Sequence, residues 1–306
     1  MQIMASTNSK MAGERFRAAV DGERPLQVVG TINALCALLA ERAGFRALYL
    51  SGAGVANASH GLPDLGVTSL HDVLEDARRI TAVTDLPLLV DADTGWGGRL
   101  MIQRTVRELI RVGAAGLQLE DQVEAKRCGH RPGKQLVSTT EMADRLKAAL
   151  DARNDPGFVV MARTDAVAVE GLESAIQRAT QYVDAGADMI FAEALTSLDD
   201  YRRFTSAVRV PVLANITEFG QTPLFTVAEL RDVGVRLVLY PLTAFRAMNA
   251  TAANVYRTLR TFGTQRDLIE FMQTREDLYD VLDYHAMEQN VSGNSSPHSE
   301  PGFASG

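Results

Sequence analysis

The sequence predicts a (β/α)8 barrel, an α/β fold in which eight parallel strands alternate with surrounding helices. Two observations support this prediction: eight short apolar runs follow one another along the chain, and amphipathic stretches separate them. The runs are apolar throughout, which is typical of parallel strands buried on both faces. A doubly wound sheet is the structural alternative, but no G-x-G-x-x-G motif follows any of these runs.

Turn residues mark where the predicted strands begin. Gly44, Gly113, Gly186 and Gly234 each stand between an amphipathic stretch and an apolar run. Glycine adopts the left-handed conformation that ends many helices, so these positions predict helix-to-strand connections. Proline fits the first position of a strand and introduces two more of the runs. The predicted strands are 27–29, 47–51, 87–93, 116–120, 158–164, 189–193, 211–216 and 237–241.

Helical patterns fill the intervals between the strands. In one of them Ser138 is the predicted N-cap and Glu141 its capping-box partner. Residues 243–288 are charged and periodic enough for additional helices, so we expect a single barrel domain over residues 1–290. Residues 291–306 are rich in Ser, Gly and Pro, a composition that predicts a disordered tail.

Composition limits the class of protein. The 306 residues include 46 % hydrophobic and 23 % charged residues, close to an average soluble globular chain. A net charge of −7 without a long Lys/Arg block argues against a nucleic-acid or anionic-membrane surface. The N-terminal residues lack the apolar segment of a signal peptide, so we expect a cytoplasmic protein. Its two cysteines are too few for a disulfide framework, which fits a reducing compartment.

Charged and polar side chains end the predicted strands. In a barrel of this type the active site lies at the carboxyl ends of the strands. Caps and turns would be more mixed in residue type, so the pattern favours an active site. The strand-end residues are Ser51, Asp91, Asp93, Glu120, Asp121, Arg163, Asp165, Glu193, Asn215 and Thr217.

Two aspartates at one strand end predict a metal site. Asp91 and Asp93 are two residues apart, so their side chains leave the strand on the same face. Their charges repel unless a cation lies between them, and oxygen ligands without histidine favour Mg²⁺ or Mn²⁺. Glu120 on the next strand could join directly or through water. The alternative is that one aspartate caps the following helix, because D-x-D alone is a weak motif.

A cysteine in a basic loop gives a second chemical signal. Nearby cations favour the thiolate, and such a thiol can exchange a proton with an anionic substrate. Cys36, by contrast, lies in an apolar helical segment and is interpreted as a small core residue. Arg246 and Arg275 are candidates for binding carboxylates, although exposed helix arginines are common. The loop places Cys128 among Lys126, Arg127, His130, Arg131 and Lys134.

The motif KRCGH at 126–130 resembles the isocitrate lyase and phosphoenolpyruvate mutase superfamily. The similarity continues, in order, through GLPDLG, LLVDAD, MARTDA, ANITEFGQTPLFT and YPLTAFRAMN. It implies a (β/α)8 barrel whose last helix is exchanged between subunits in a dimer of dimers, and therefore a homotetramer.

The resemblance also implies roles for individual residues. Cys128 matches the family's acid/base cysteine, Asp91 and Asp93 its Mg²⁺ ligands, and Glu120 a group that holds the water shell of the metal. Tyr49 and Asp64 match positions lining the family's site, and either Tyr49 or a metal-bound hydroxide would remove the substrate's hydroxyl proton. Arg163 would hold the charge that develops on the leaving fragment. The implied substrate contacts are Ser51, Gly52, Ala53, Gly129, Arg163, Glu193, Asn215, Ile216, Thr217, Arg246 and Arg275, and the implied methyl pocket is Phe191, Leu239 and Pro241.

The activity implied by the resemblance is cleavage of the C2–C3 bond of (2R,3S)-2-methylisocitrate to pyruvate and succinate, in the methylcitrate cycle of propionate catabolism. Cleavage of another 2-hydroxy acid such as dimethylmalate, hydrolysis of oxaloacetate and a non-catalytic binding role are the alternatives. A phosphonomutase would lack the cysteine, and an isocitrate lyase would be a longer chain. The sequence departs from the family pattern at Ala53, at Gln118 and in the loop GWGG at 95–98, which leaves substrate choice and Mg²⁺ affinity open.

Overall fold

A computed structural model describes residues 10–293, and the chain divides into two compact units between Asn249 and Ala250. The first unit contains a closed barrel of parallel strands in sequential order, which confirms the predicted fold class. The strands of the described range are β1 (Leu26–Gly30), β2 (Leu48–Leu50), β3 (Leu88–Asp91), β4 (Gly116–Glu120), β5 (Val159–Thr164), β6 (Met189–Ala192), β7 (Val212–Asn215) and β8 (Leu237–Tyr240).

The barrel closes by pairing its first strand with its last. Leu26 of β1 lies opposite Leu237 of β8, and Val29 lies opposite both Leu48 of β2 and Tyr240 of β8. Each strand begins and ends within two residues of its predicted bounds.

Helices follow the strands around the barrel. They are α1 (Ala12–Gly22), α2 (Ala34–Arg42), α3 (Gly52–Gly54), α4 (Leu70–Thr81), α5 (Arg99–Arg111), α6 (Thr139–Ala152), α7 (Val167–Glu170), α8 (Leu172–Asp184), α9 (Leu198–Ala207), α10 (Val227–Asp232), α11 (Thr243–Phe262), α12 (Arg275–Leu282) and α13 (Tyr284–Gly293). A π-helical turn, Val55–Ser59, extends α3, and a 3-10 helix, Arg266–Phe271, precedes α12.

The local signals predict the helix ends well, with one exception. Gly44, Gly113, Gly186 and Gly234 all have positive φ angles, between 84° and 107°, as the predicted connections require. Ser138 caps α6 by accepting a hydrogen bond from the Glu141 amide at 3.1 Å. The reciprocal half of the predicted capping box is wrong, because the Glu141 carboxylate accepts a hydrogen bond from Arg145 at 2.8 Å instead.

Two layers of apolar side chains stabilise the first unit. One fills the barrel interior with strand residues such as Leu89 and Met161, and Phe16 and Val20 of α1 belong to this cluster. The other lies between the strands and the outer helices. Because α1 precedes β1, it packs at the amino ends of the strands and leaves the opposite end for a site.

The second unit, as far as it is described, is helical, as predicted for residues 243–288. Its helices expose large apolar side chains, including Tyr256, Phe262, Phe271 and Met287. Helix α13 covers the first three residues of the predicted tail, and residues 294–306 lie outside the described range. None of the helices between residues 10 and 293 is both long and apolar enough to cross a membrane.

Candidate active site

A cavity of about 300 Å³ lies at the carboxyl ends of the barrel strands. It gathers most of the residues that the sequence proposes for a site, although they are distributed over the whole chain. Those lining the cavity are Tyr49, Ser51, Ala53, Asp64, Asp91, Cys128, Gly129, Arg163, Phe191, Glu193, Asn215, Thr217, Leu239, Pro241 and Arg246.

Five of the residues to which the resemblance assigns a role do not line this cavity. Gly52 lies beneath it and donates its amide hydrogen to Asp91 Oδ2 at 3.1 Å. Glu120 and Ile216 are buried, with 1 % and 3 % exposure. Asp93 lines a neighbouring cavity of about 570 Å³ that contains no cysteine, and Lys126 borders both cavities. Arg275 is the first residue of α12 in the second unit, and its contact with substrate stays a prediction.

Asp91, which lines the cavity, and the neighbouring carboxylates of Asp93 and Glu120 form what we call the acidic wall. Asp93 has a φ of 45°, a left-handed conformation that is uncommon outside glycine, and its amide donates to Asp91 Oδ1 at 3.1 Å. Gln118 also donates to Asp91 Oδ1. Lys126 Nζ lies 2.8 Å from Asp93 Oδ1 and contacts Asp64 as well. One lysine is therefore shared by two carboxylates beside the wall.

The acidic wall is short of positive charge. Burial, together with the charge of Asp91, raises the pKa of Asp93 to about 7. Burial also raises the pKa of Glu120 well above its usual value, and Glu120 Oε1 has no hydrogen-bond partner among residues 10–293. A divalent cation would supply what these oxygens lack.

The donor set fits magnesium better than a metal that needs a full protein cage. Within the described range, no three Asp, Glu, His or Cys side chains converge closely enough to bind a metal alone. Magnesium keeps several waters and typically uses one or two carboxylates together with substrate oxygens. The residues present therefore fit an Mg²⁺ ion that is completed by water and substrate.

Arg163, Glu193, His130 and Asn215 form a second cluster, which we call the arginine wall. It touches the acidic wall, because Arg163 Nη1 lies 3.5 Å from Glu120 Oε2. Arg163 lies 3.1 Å from Glu193 Oε2, and its guanidinium carbon is 5.0 Å from the centre of the Phe191 ring. His130 Nε2 lies 3.1 Å from Glu193 Oε1, and Asn215 donates to the same carboxylate. Burial alone would raise the pKa of Glu193, but the Arg163 charge and the His130 contact lower it to about 2.

Cys128 lines the same cavity as Asp91 and Arg163 and lies on a loop held by several contacts. Gln122 exchanges two hydrogen bonds of 2.9 Å with the backbone of Arg127. Gln221 donates its amide hydrogen to His130 Nδ1 at 3.1 Å and its side-chain amide to the His130 carbonyl at 3.2 Å. Cys128 itself is half-buried.

The basic residues of this loop do not all act as the sequence suggested. Lys126 pairs with Asp64 and Asp93, and Lys134 pairs with Asp165 at 3.2 Å. The charges of both lysines are therefore balanced by carboxylates.

Asp121 and Asp165 do not line the cavity, although both follow strands. Asp121 accepts hydrogen bonds from Thr164 and Tyr182 on the outer side of the barrel. The alternation of side chains along a strand predicts this difference, because neighbouring residues such as Glu120 and Asp121 point to opposite faces. Asp165 pairs with Arg163 and is fully buried, and no local sequence signal predicts its pairing with Lys134.

The surroundings of Tyr49 determine whether its phenol ionises. Burial and the charge of Asp91 raise the pKa of Tyr49 well above its usual value, so its phenol stays protonated.

At the rim, Arg246 lies 3.5 Å from Glu218 and stacks over the ring of Phe219, which is 96 % exposed. Sequence reasoning did not identify Phe219 or Glu218.

Comparisons with known proteins agree with this geometry. Residues 16–260 match the family model described as phosphoenolpyruvate phosphomutase. The chain is 62 % identical to a 2-methylisocitrate lyase of Shewanella oneidensis over 92 % of this chain and 97 % of that protein. Among solved structures, a 2,3-dimethylmalate lyase is 34 % identical with a TM-score of 0.86, covering 94 % and 97 % of the two chains. A phosphonopyruvate hydrolase solved with oxalate and Mg²⁺ is 28 % identical with a TM-score of 0.82, covering 94 % and 99 %.

Proposed function

The chain belongs to the phosphoenolpyruvate phosphomutase family, and from this membership we propose that it is a carbon–carbon lyase that cleaves 2-methylisocitrate to pyruvate and succinate. The observation that carries the proposal is the cavity in which Cys128, Asp91 and Arg163 meet, in a chain 62 % identical to a 2-methylisocitrate lyase. We place the reaction in the methylcitrate cycle of propionate catabolism.

We further propose that Asp91 and Asp93 hold Mg²⁺, or Mn²⁺ in its place, with Glu120 contributing through water. The support is the shortage of positive charge at the acidic wall and the related hydrolase solved with Mg²⁺. When bound, the metal would act as a Lewis acid that makes the substrate's 2-hydroxyl more acidic.

Cleavage of the C2–C3 bond requires groups from both walls. The 2-hydroxyl gives its proton to a water or hydroxide from solvent, its oxygen becomes the carbonyl oxygen of pyruvate at C2, and the electron pair of the C2–C3 bond stays on C3. The charge on C3 spreads into the neighbouring carboxylate of the succinate fragment. Arg163, held by Glu193, would stabilise this carboxylate from within hydrogen-bonding distance.

Cys128 would complete the reaction by giving its proton to C3. A positioned acid of this kind contributes about 10²–10⁴-fold to a rate. Tyr49, with its protonated phenol, is suited to donate a hydrogen bond to the substrate oxygen rather than to act as the base.

The substrate preference would come from three apolar residues. Phe191, Leu239 and Pro241 line the cavity, and Phe191 also packs against Arg163. A methyl group on C2 would fill the space between them.

We also propose a homotetramer in which the last helix is exchanged, located in the cytoplasm. Helices α11 and α12 bury none of their residues, and exposed apolar side chains of this size are typical of interfaces. Light scattering on the purified chain tests the assembly, and a monomer at micromolar concentration would contradict it.

The decisive experiment compares substrates. The purified chain is mixed with Mg²⁺ and, separately, with 2-methylisocitrate, isocitrate, 2,3-dimethylmalate or oxaloacetate, and the 2-oxo acid is followed over time. We expect the highest kcat/KM for 2-methylisocitrate, with pyruvate and succinate in equal amounts. A higher kcat/KM for another substrate would replace the assigned one, and no cleavage of any hydroxy acid would contradict lyase activity.

A further inference from the structure

Lys134 is an unusual residue in the loop that carries Cys128, because its ammonium group is buried. Its side chain is 1 % exposed and that of Asp165 is 0 % exposed, and their charged atoms are 3.2 Å apart. A buried charge is tolerated only when it is paired and hydrogen-bonded, so this contact fixes the lysine in one place. The cavity does not include Lys134, so it does not touch substrate there.

Asp165 links the lysine to the arginine wall. Its Oδ2 accepts a hydrogen bond from Arg163 Nε at 3.0 Å, and its Oδ1 accepts from Arg163 Nη2 at 3.3 Å. The same Oδ1 faces Lys134 Nζ. One carboxylate therefore sets the positions of both cations relative to each other.

The other end of the lysine contact reaches the residue after the cysteine. Lys134 Nζ donates to the carbonyl oxygen of Gly129. On its other side Gly129 approaches the arginine wall so closely that a Cβ atom there would overlap Arg163 and Glu193. Gly129 is thus held from two directions, and the peptide that joins it to Cys128 is held with it.

We propose that Lys134 is a positioning residue that, through Asp165, holds Cys128 at a fixed place relative to Arg163. Cys128 lies in the loop after β4 and Arg163 lies in β5, and the reaction needs both at opposite ends of one carboxylate fragment. Displacement of a reacting group by about 1 Å can cost about 100-fold in rate. Lys134 thereby keeps the Cys128 thiol, which donates the proton, at a fixed position relative to the Arg163 guanidinium, which stabilises the negative charge.

The inference rests on the proposed lyase activity, so the test has a part that does not depend on turnover. Four variants are compared with the parent: Lys134→Met, Lys134→Gln, Lys134→Arg and the matched control Lys147→Met. Lys147 is an exposed lysine of α6 outside the cavity. For each folded variant, kcat and KM are measured with Mg²⁺ and 2-methylisocitrate, and the rate of Cys128 alkylation by iodoacetamide is measured by mass spectrometry with and without pyruvate and succinate.

We expect Lys134→Met to lower kcat by about 100-fold while KM changes less than about threefold, because the substrate contacts of Arg163 are retained. Alkylation of Cys128 should become faster, and the products should protect it less. Lys134→Arg keeps the charge and should recover most of both properties. Lys147→Met should match the parent throughout.

A kcat within twofold of the parent in Lys134→Met, with unchanged alkylation, would overturn the proposal. If that variant does not fold, Lys134→Gln decides, because it is a milder, polar change that still removes the charge paired with Asp165. We expect it to lose at least tenfold in kcat and to alkylate faster, and parent-like values in both would reject the role. If the parent itself cleaves no substrate, the proposed function fails, whereas the alkylation comparison still supports or rejects the positioning of the loop.

Discussion

The two walls of the cavity contain the same chemical group in opposite electrostatic states. Glu193 and Asp93 are both buried carboxylates, with 1 % and 5 % exposure. Contacts with Arg163 and His130 lower the pKa of Glu193 to about 2, whereas burial and the charge of Asp91 raise the pKa of Asp93 to about 7.

The difference shows that burial alone does not determine the charge of a carboxylate. Burial opposes ionisation at both positions, and the neighbours decide the outcome. Among residues 10–293, the carboxylate of the arginine wall is paired with Arg163 and His130, whereas Glu120 Oε1 of the acidic wall has no hydrogen-bond partner, as expected if the proposed cation binds there. The four predictions below test this contrast.

The largest expected effect is at Cys128, which belongs to neither wall. Cys128→Ser should retain the fold and the binding of Mg²⁺ and products, because both walls remain, but should lower kcat by about 10²–10⁴-fold. Steady-state kinetics and calorimetric binding of pyruvate check this, with Cys36→Ser as the control. Near-parental kcat in Cys128→Ser would remove the cysteine from the mechanism.

The second prediction breaks the arginine wall. Glu193→Gln should lower the free energy of unfolding by up to about 3 kcal/mol at pH 7, the amount that corresponds to the lowered pKa of Glu193. Arg163 keeps Asp165 as a partner. The parent carboxylate has a folded pKa of about 2, below its unfolded pKa of about 4.3, so its contribution is complete above pH 4.3 and is lost as the pH falls toward 2.

Urea unfolding between pH 7 and pH 2 measures this difference. The gap between parent and variant should therefore close on acidification through that window. The surface variant Glu173→Gln should show a small, nearly constant gap, because its ion pair with Arg203 is exposed. A Glu193→Gln gap that stays constant down to pH 2 would contradict the paired state of Glu193.

The third prediction removes one oxygen ligand from the acidic wall. Chelation should abolish turnover reversibly, with Mg²⁺ or Mn²⁺ restoring it. Asp93→Ala should bind Mn²⁺ about 100-fold more weakly. Loss of a residue that only supports a metal ligand typically lowers metal affinity by about 10–100-fold, and loss of a ligand itself should cost at least as much. Electron paramagnetic resonance of free Mn²⁺ measures the affinity without turnover, and Asp199→Ala is the control. Equal Mn²⁺ affinity in parent and Asp93→Ala would exclude Asp93 as a ligand.

The smallest expected effect concerns substrate choice. One methyl group in a fitted pocket is worth about 1–3 kcal/mol, or about 10–200-fold in kcat/KM. Phe191→Trp should reduce the preference for 2-methylisocitrate over isocitrate by filling this space. The ratio of the two kcat/KM values reports it, and an unchanged ratio would mean that Phe191 only fills the barrel core.

Sequence patterns predicted the barrel because each signal was local. Positive φ at Gly113 and the apolar run of β4 each depend on a few neighbouring residues. The cavity residues were predictable because strand ends converge in this fold. The pairing of Lys134 with Asp165 was not, since it joins positions from different connections and depends on side-chain packing. The predicted hydrogen bond from the Ser138 amide to the Glu141 carboxylate does not form, because that carboxylate pairs with Arg145 instead.

The pairing of β1 with β8 has a consequence for biosynthesis. During translation β1 leaves the ribosome first, and its partner on one side is the last strand to be made. Until then the nascent sheet has two open edges, and its strands are apolar on both faces, which favours pairing with other chains. A chain that stops after β7 would keep both edges exposed. Strand β8 therefore closes both edges at once, because it pairs with β1 on one side and β7 on the other.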